Sequence, residues 1–207
     1  THIDHQLRVV FGTLRENGLI DNTIILFTSD HGDMLGKHGQ WAKRLFYEES
    51  TNVPLILAGA GVEERLGFDR VDTRLAGWQD IMPTLLDLAG VPIPDTVEGA
   101  SLAGDESRNA LYGEVGEGAT ATRMIRTDGY KLIYYPAGNR VQIFDMAEDP
   151  EELNDLSESP EYSEIRIDLE KRLITELYGG DEAWVRDGRL VGLPDQEYVP
   201  SVDLSFS

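Results

Sequence analysis

The run Thr23-Ile24-Ile25-Leu26-Phe27-Thr28 is apolar or β-branched at every position, with no alternation that would leave one face to water. A strand of that kind reads as covered on both faces, the habit of a parallel α/β sheet. It follows an amphipathic stretch in which Ile3, Leu7, Val10, Phe11 and Leu14 recur at helical spacing and Gly18 ends the run. Val53 to Ala58 repeats the strand pattern ahead of Gly59-Ala60-Gly61. A further helix is predicted from about Leu75 to Leu88, with Ile81, Leu85 and Leu88 on one side and Gly90 as its stop. Residues 1–105 therefore read as an α/β portion, part of a doubly wound sheet.

The pattern changes over residues 106–207, which read as a C-terminal α+β subdomain with a terminal arm. Short strands are predicted at 111–116, 121–127, 130–135 and 141–145, separated by the hairpin dipeptide Asp128-Gly129 and by Ala137-Gly138-Asn139. That spacing predicts a small antiparallel sheet packed with a helix from about Pro160 to Tyr178, burying Ile165, Leu169, Leu173 and Leu177. Asp187-Gly188, between Val185 and Leu190, predicts one more hairpin, and the last dozen residues read as an arm.

Composition narrows the functions. Acidic residues number 38 against 18 basic ones, for a net charge of −20, which repels phosphate backbones and argues against a nucleic-acid partner. The apolar runs are too short to span a bilayer. Cysteine is absent, so disulfides, thiolate metal sites and a cysteine nucleophile are excluded within these residues, while the compartment stays open. No basic, apolar leader opens the sequence, which points to a later portion of something longer.

Chemistry concentrates in Thr28-Ser29-Asp30-His31-Gly32, directly after the first strand, where open α/β sheets place ligands. Neighbouring strand residues point to opposite faces, so Asp30 and His31 can serve one site only if the strand has ended and the backbone turns, which Gly32 permits. A carboxylate and an imidazole suit a divalent cation but supply only half a site. Read alone, Lys43 is a solvated cation, Trp41 a packing residue, and His2, His5 and His38 carry no role.

The segment Asn22 to Gly36, continuing to Trp41-Ala42-Lys43, resembles the C-terminal half of the type I sulfatases, members of the alkaline-phosphatase-like superfamily. Further landmarks follow in the family's order: Val53-Pro54-Leu55-Ile56, Asp80-Ile81-Met82-Pro83-Thr84-Leu85-Leu86, Leu88-Ala89-Gly90-Val91-Pro92 and Gly99-Ala100-Ser101-Leu102. Arg126-Thr127-Asp128-Gly129-Tyr130-Lys131-Leu132-Ile133 and Phe144 to Leu153 are similar to its terminal subdomain. The resemblance runs over roughly residues 1–156 and implies an α/β fold with a metal-dependent sulfuric ester hydrolase activity on a small sulfated substrate. It implies Asp30 as a carboxylate ligand of the metal, His31 as the neighbouring ligand, Lys43 as the catalytic contact to the sulfate group, and His38 as a supporting side chain behind them. Calcium is the metal the family leads one to expect, with manganese, magnesium or zinc as alternatives given an imidazole donor.

The same resemblance implies what is lacking. Sulfatases attack with a formylglycine made from Cys or Ser in a Cys/Ser-x-Pro-x-Arg motif, and neither Cys nor Ser-x-Pro-x-Arg occurs here. The expectation is a C-terminal portion that is inactive alone and that partners its N-terminal half or itself. The alternatives are a phosphonate monoester or phosphodiester hydrolase of the same superfamily, or a non-catalytic binding or structural fragment.

Overall fold

A computed structural model describes residues 2–195; the arm expected over the last dozen residues lies outside them. The chain divides into two compact units. The first ends at Asp33 and resumes over Asn52–Asn109, and the second takes Met34–Thr51 together with everything described from Ala110 onward.

In the first unit, helix α1 (His2–Glu16) carries Asp4 in its first turn and Arg15 in its last, complementing the helix dipole. Its apolar residues are not buried: Ile3, Val9 and Val10 are exposed, and Leu7, Phe11 and Leu14 only half-buried. Strand β1 (Ile24–Thr28) pairs with β2 (Leu55–Gly59) in antiparallel register, Leu26 opposite Leu57. The parallel pairing expected from the sequence is therefore not what these two strands adopt, and neither is covered on both faces, since β1 is half-buried throughout. An apolar run reports a preference for burial and carries no information on strand direction. Gly59 closes β2 at φ +95°, where a Cβ would stand 2.1 Å from the carbonyl oxygen of Thr23, so no other residue fits. A short helix α3 (Val62–Leu66) follows.

Helix α4 (Ile81–Leu88) starts later than the apolar spacing predicts, behind a 3₁₀ turn at Trp78–Asp80. The cause is Asp80, which is fully buried. Its carboxylate accepts the N–H of Gly77 at 2.8 Å, capping the 3₁₀ turn, accepts the N–H of Ala100 at 2.9 Å and pairs with the Arg108 guanidinium. Thr84 accepts the N–H of Leu102 at 2.9 Å, and Arg74 donates to the carbonyls of Leu102, Gly104 and Glu106. These bonds tie an irregular stretch to α4 where no regular ladder is available.

The second unit is built on a meander, β3 (Leu111–Val115), β4 (Thr122–Arg126), β5 (Tyr130–Tyr135) and β6 (Arg140–Asp145), all antiparallel in that order. Successive residues of β5 face opposite sides. On one side Leu132 and Tyr134, with Ile125 and Ile143, bury against Leu169, Leu173 and Leu177 from helix α5 (Ser163–Glu176) and its C-terminal end. On the other, Ile133 and Phe144 pack with Met34, Tyr47 and Met146. Residues 34–51, which include the single turn α2 (Glu48–Thr51), thus belong to the second unit and pack against the sheet face away from α5. A closing hairpin, β7 (Val185–Arg186) and β8 (Arg189–Leu190), turns through Asp187 and Gly188, both at positive φ, as a two-residue type I′ turn requires. Beside it the buried Arg123 guanidinium pairs with Asp181 at 2.7 Å and lies over the Trp184 ring. Among the described residues no helix is long and apolar enough to cross a membrane.

The Arg74 hydrogen bonds hold the Asp72 carboxyl down at about 2, well below its ordinary value. A depressed carboxylate stabilises the fold above its unfolded value and loses that contribution as pH falls through the folded one. Because Asp72 is 36% exposed, the contribution is at most about 1 kcal/mol. Urea midpoints of the protein and of Asp72→Asn should differ at pH 6 and converge between pH 4 and pH 2.

Candidate functional site

Strand β1 ends at Thr28, and the next residues turn at once. The Ser29 hydroxyl donates to the carbonyl of His31 at 2.9 Å, and the His31 N–H donates to Asp30 Oδ1 at 3.1 Å. This turn swings two adjacent side chains to one side: His31 Nε2 stands 3.1 Å from Asp30 Oδ2. The other ring nitrogen, Nδ1, lies 2.7 Å from the carbonyl oxygen of Gly32. A carbonyl can only accept, so Nδ1 carries a proton and Nε2 is the ring nitrogen turned to the carboxylate. A proton or a cation between Nε2 and Oδ2 makes that 3.1 Å contact favourable.

That arrangement fits a metal on two counts. Ligand atoms in adjacent positions around a small divalent ion, each about 2.2 Å from it, stand about 3.1 Å apart. A ligating histidine characteristically fixes its tautomer by donating the opposite N–H to a carbonyl, as His31 does to Gly32. The donor set from this turn remains one carboxylate and one imidazole. Asp30 is largely exposed, its side chain at 67%, as the pair should be if further ligands complete the sphere.

Lys43 lies elsewhere in the division of the chain: Asp30 and His31 are in the first unit, Lys43 in the second. It is exposed, one residue beyond a loop closed by backbone bonds from Met34 N–H to the Ala42 carbonyl and from Gly36 N–H to the Gln40 carbonyl, both 2.8 Å. Three non-glycine residues of this loop, Leu35, His38 and Ala42, adopt positive φ, at +46°, +50° and +66°. Such a cluster of strained residues persists only where surrounding contacts over-determine the backbone.

Those contacts come from the sheet. Lys131 on β5 is buried to 1% exposure, yet it sends its ammonium toward the loop segment. Its Nζ donates to the Phe46 carbonyl at 3.0 Å, pairs closely with Glu48, and stands 2.7 Å from Glu152 Oε1, off the line of a good hydrogen bond but well within ion-pair range. The other oxygen of Glu152 accepts the N–H of Glu48 at 2.6 Å. Burial pushes the Glu152 carboxyl up, and the Lys131 charge opposes that rise.

His38 stacks on Tyr47 at 4.2 Å between ring centroids. Its buried Nε2 sits with a carboxylate oxygen each of Glu49 and Glu152 inside a 4.8 Å cluster, a set able in principle to hold a cation. Lys37 already pairs with Glu49, and Lys131 is shared between Glu152 and Glu48, so cations beside these carboxylates oppose a metal there. At Glu49 burial works to raise the pKa, but the Lys37 hydrogen bond and charge outweigh it and leave the carboxyl low. His38 lies in the second unit, with its ring stacked on Tyr47. The sequence reading missed Lys131, Glu48 and Glu152; the one signal for them was a lysine inside the apolar run of β5.

The family described as N-sulphoglucosamine sulphohydrolase, C-terminal, matches residues 36–178. An arylsulfatase of Clostridium perfringens is 40% identical over 198 residues, covering 92% of this chain but 41% of its own length. A protein solved in complex with its substrate D-glucosamine-2-N,6-O-disulfate superposes at TM-score 0.74 with 30% identity, over 83% of this chain and 37% of that one. The phosphonate monoester hydrolase of Agrobacterium radiobacter superposes at TM-score 0.73 with 26% identity, over 92% and 43%. The chain therefore spans about two fifths of the length of such relatives, and its fold is α/β of the alkaline-phosphatase-like kind.

Relieving the strain at Ala42 is testable. A left-handed residue costs about 1–2 kcal/mol, and glycine returns about 0.5–1 kcal/mol of that as lost chain entropy. Ala42→Gly should therefore raise stability by roughly 0.5–1 kcal/mol, measured from its denaturant midpoint.

Proposed function

We propose that this chain, which belongs to the N-sulphoglucosamine sulphohydrolase C-terminal family of the sulfatases, supplies part of a metal-dependent active site that hydrolyses sulfate esters. Asp30 and His31 are the metal ligands it contributes, and Lys43 is the ammonium that contacts the sulfate group. The observation that carries the reading is the facing of His31 Nε2 and Asp30 Oδ2 at 3.1 Å with Nδ1 committed to Gly32.

A sulfate ester presents non-bridging oxygens to the site, and negative charge grows on its bridging oxygen as the bond to sulfur breaks. A bound divalent cation supplies Lewis-acid stabilisation of that charge. Lys43 adds a fixed positive group aimed at the same oxygens, an interaction strongest where water is excluded. Calcium is the first choice for the ion by family resemblance, with manganese, magnesium and zinc as alternatives; the imidazole donor favours zinc among them. The nucleophile, a formylglycine in this reading, is supplied from outside these 207 residues, in keeping with their lack of cysteine. That outside portion is also the chain's structural partner, and the exposed apolar residues of α1 are available to it.

A second reading has its own support. The superposition on a phosphonate monoester hydrolase extends over 92% of this chain, so a phosphorus centre in place of sulfur is the competing substrate class. Comparing the full-length gene product on 4-nitrophenyl sulfate and on a phenyl phosphonate ester decides between them. The sulfate is expected to be turned over faster, and a preference for the phosphonate would overturn the primary reading.

In the same full-length protein, Asp30→Ala should lower kcat/KM for the aryl sulfate by about 100-fold or more and abolish its response to added metal. His38→Ala should cost much less. Equal losses would mean that His38 belongs to the reacting centre. Residues 1–207 alone are expected to give no turnover, and metal-dependent hydrolysis by them would show that the nucleophile lies within this chain.

A further inference from the structure

Residues 34–51 contain one helical turn, Glu48–Thr51, and one 3₁₀ turn, Lys37–Gly39; the rest has no regular hydrogen-bond ladder. With Leu35, His38 and Ala42 all at positive φ, local preference does not select this path. Backbone bonds within the segment close the loop, and two anchors from outside it bracket Lys43. On its N-terminal side Met34 is 1% exposed in the apolar cluster on β5 and β6. On its C-terminal side Lys131 holds the Phe46 carbonyl and the Glu48 carboxylate, and Glu152 holds the Glu48 N–H.

The second anchor is ionic and buried, which makes it stiff. Both Lys131 and Glu152 have essentially no exposed side-chain surface. An ammonium there cannot drift from its partners without an unpaired charge in a low-dielectric setting, at a cost of several kcal/mol. The bonds to Phe46 and Glu48 fall only a few residues beyond Lys43, so the restraint acts close to the group it would place. Glu152 itself is held at φ +56°, a further sign that this corner is determined by its contacts.

We propose that Lys131, together with Glu152, is a positioning residue for Lys43: the terminal sheet sets where the sulfate-contacting ammonium stands. This rests on the reading of Lys43 given above. Neither residue touches substrate. They act through the backbone of residues 46–48, and a loosened segment places the lysine less accurately, where displacement by about 1 Å can cost about 100-fold in rate.

The test uses the full-length gene product with Lys131→Met/Glu152→Met, which removes the two fully buried charges together and leaves only Glu48, whose side chain is 23% exposed. Three readings are expected while circular dichroism stays native. Amides of residues 34–51 exchange faster, with those of Leu132 and Ile133 unchanged. The kcat/KM for 4-nitrophenyl sulfate falls about tenfold or more. Lys43→Ala, costly in the parent, costs less than about twofold when added to the double variant, because coupled residues are not additive. Full turnover by the folded double variant, or undiminished cost of Lys43→Ala within it, overturns the proposal. Should the double variant not fold, Glu48→Gln removes one of the two carboxylates on Lys131 while Glu152 keeps it paired, and the same readings apply with smaller size. A Lys43→Ala protein with full turnover sinks the reading of Lys43 and this proposal with it. A crippled Lys43→Ala beside a fully active double variant sinks the positioning role alone.

Discussion

A buried ammonium must be neutralised where it sits, and Lys131 meets that demand with two carboxylates that come from opposite directions along the chain. Glu48 lies far N-terminal to β5 and Glu152 lies beyond β6. The full network therefore forms only when three separated stretches have met. Apolar packing against β5 and β6 is tolerant of small shifts, as hydrophobic contacts are. The ionic network has no such tolerance, and it turns a covering segment into one with a fixed path.

Much of the second unit was legible in the sequence because the signals there are local. Short runs between turn signals marked β3 to β6, Asp128-Gly129 and Asp187-Gly188 marked turns, and the apolar spacing of Leu169, Leu173 and Leu177 marked the face of α5 that is buried. The antiparallel pairing of β1 with β2 was not legible, since run composition has no direction. Nor was the late start of α4, which depends on Asp80 reaching Ala100 and Arg108. Lys131 escaped for a similar reason. Strand periodicity puts it opposite Leu132, where a polar residue ordinarily means solvent, and only partners distant in sequence turn that face into an interior.

The candidate site divides along the same line. Asp30 and His31 are brought together by a local turn, so their convergence follows from the end of β1 and the Ser29 and Asp30 hydrogen bonds. The segment carrying Lys43 is held by contacts with residues more than eighty positions away, and its strained backbone is the local trace of that dependence. Short-range chemistry and long-range restraint are thus assigned to different units of the chain.

The crossing of the chain from the first unit into the second at Met34, and back after Thr51, has a consequence for how the protein is made. Translation delivers these residues well before their sheet. Lys131 follows Glu48 by 83 positions and Glu152 by 104, which at ordinary elongation rates is a wait of roughly 4–21 s. During that interval Met34, Leu45, Phe46 and Tyr47 have no apolar surface of their own unit to cover them. A nascent chain in that condition is a natural client for a holdase, and slowing the ribosome between α4 and β5 would lengthen its exposure.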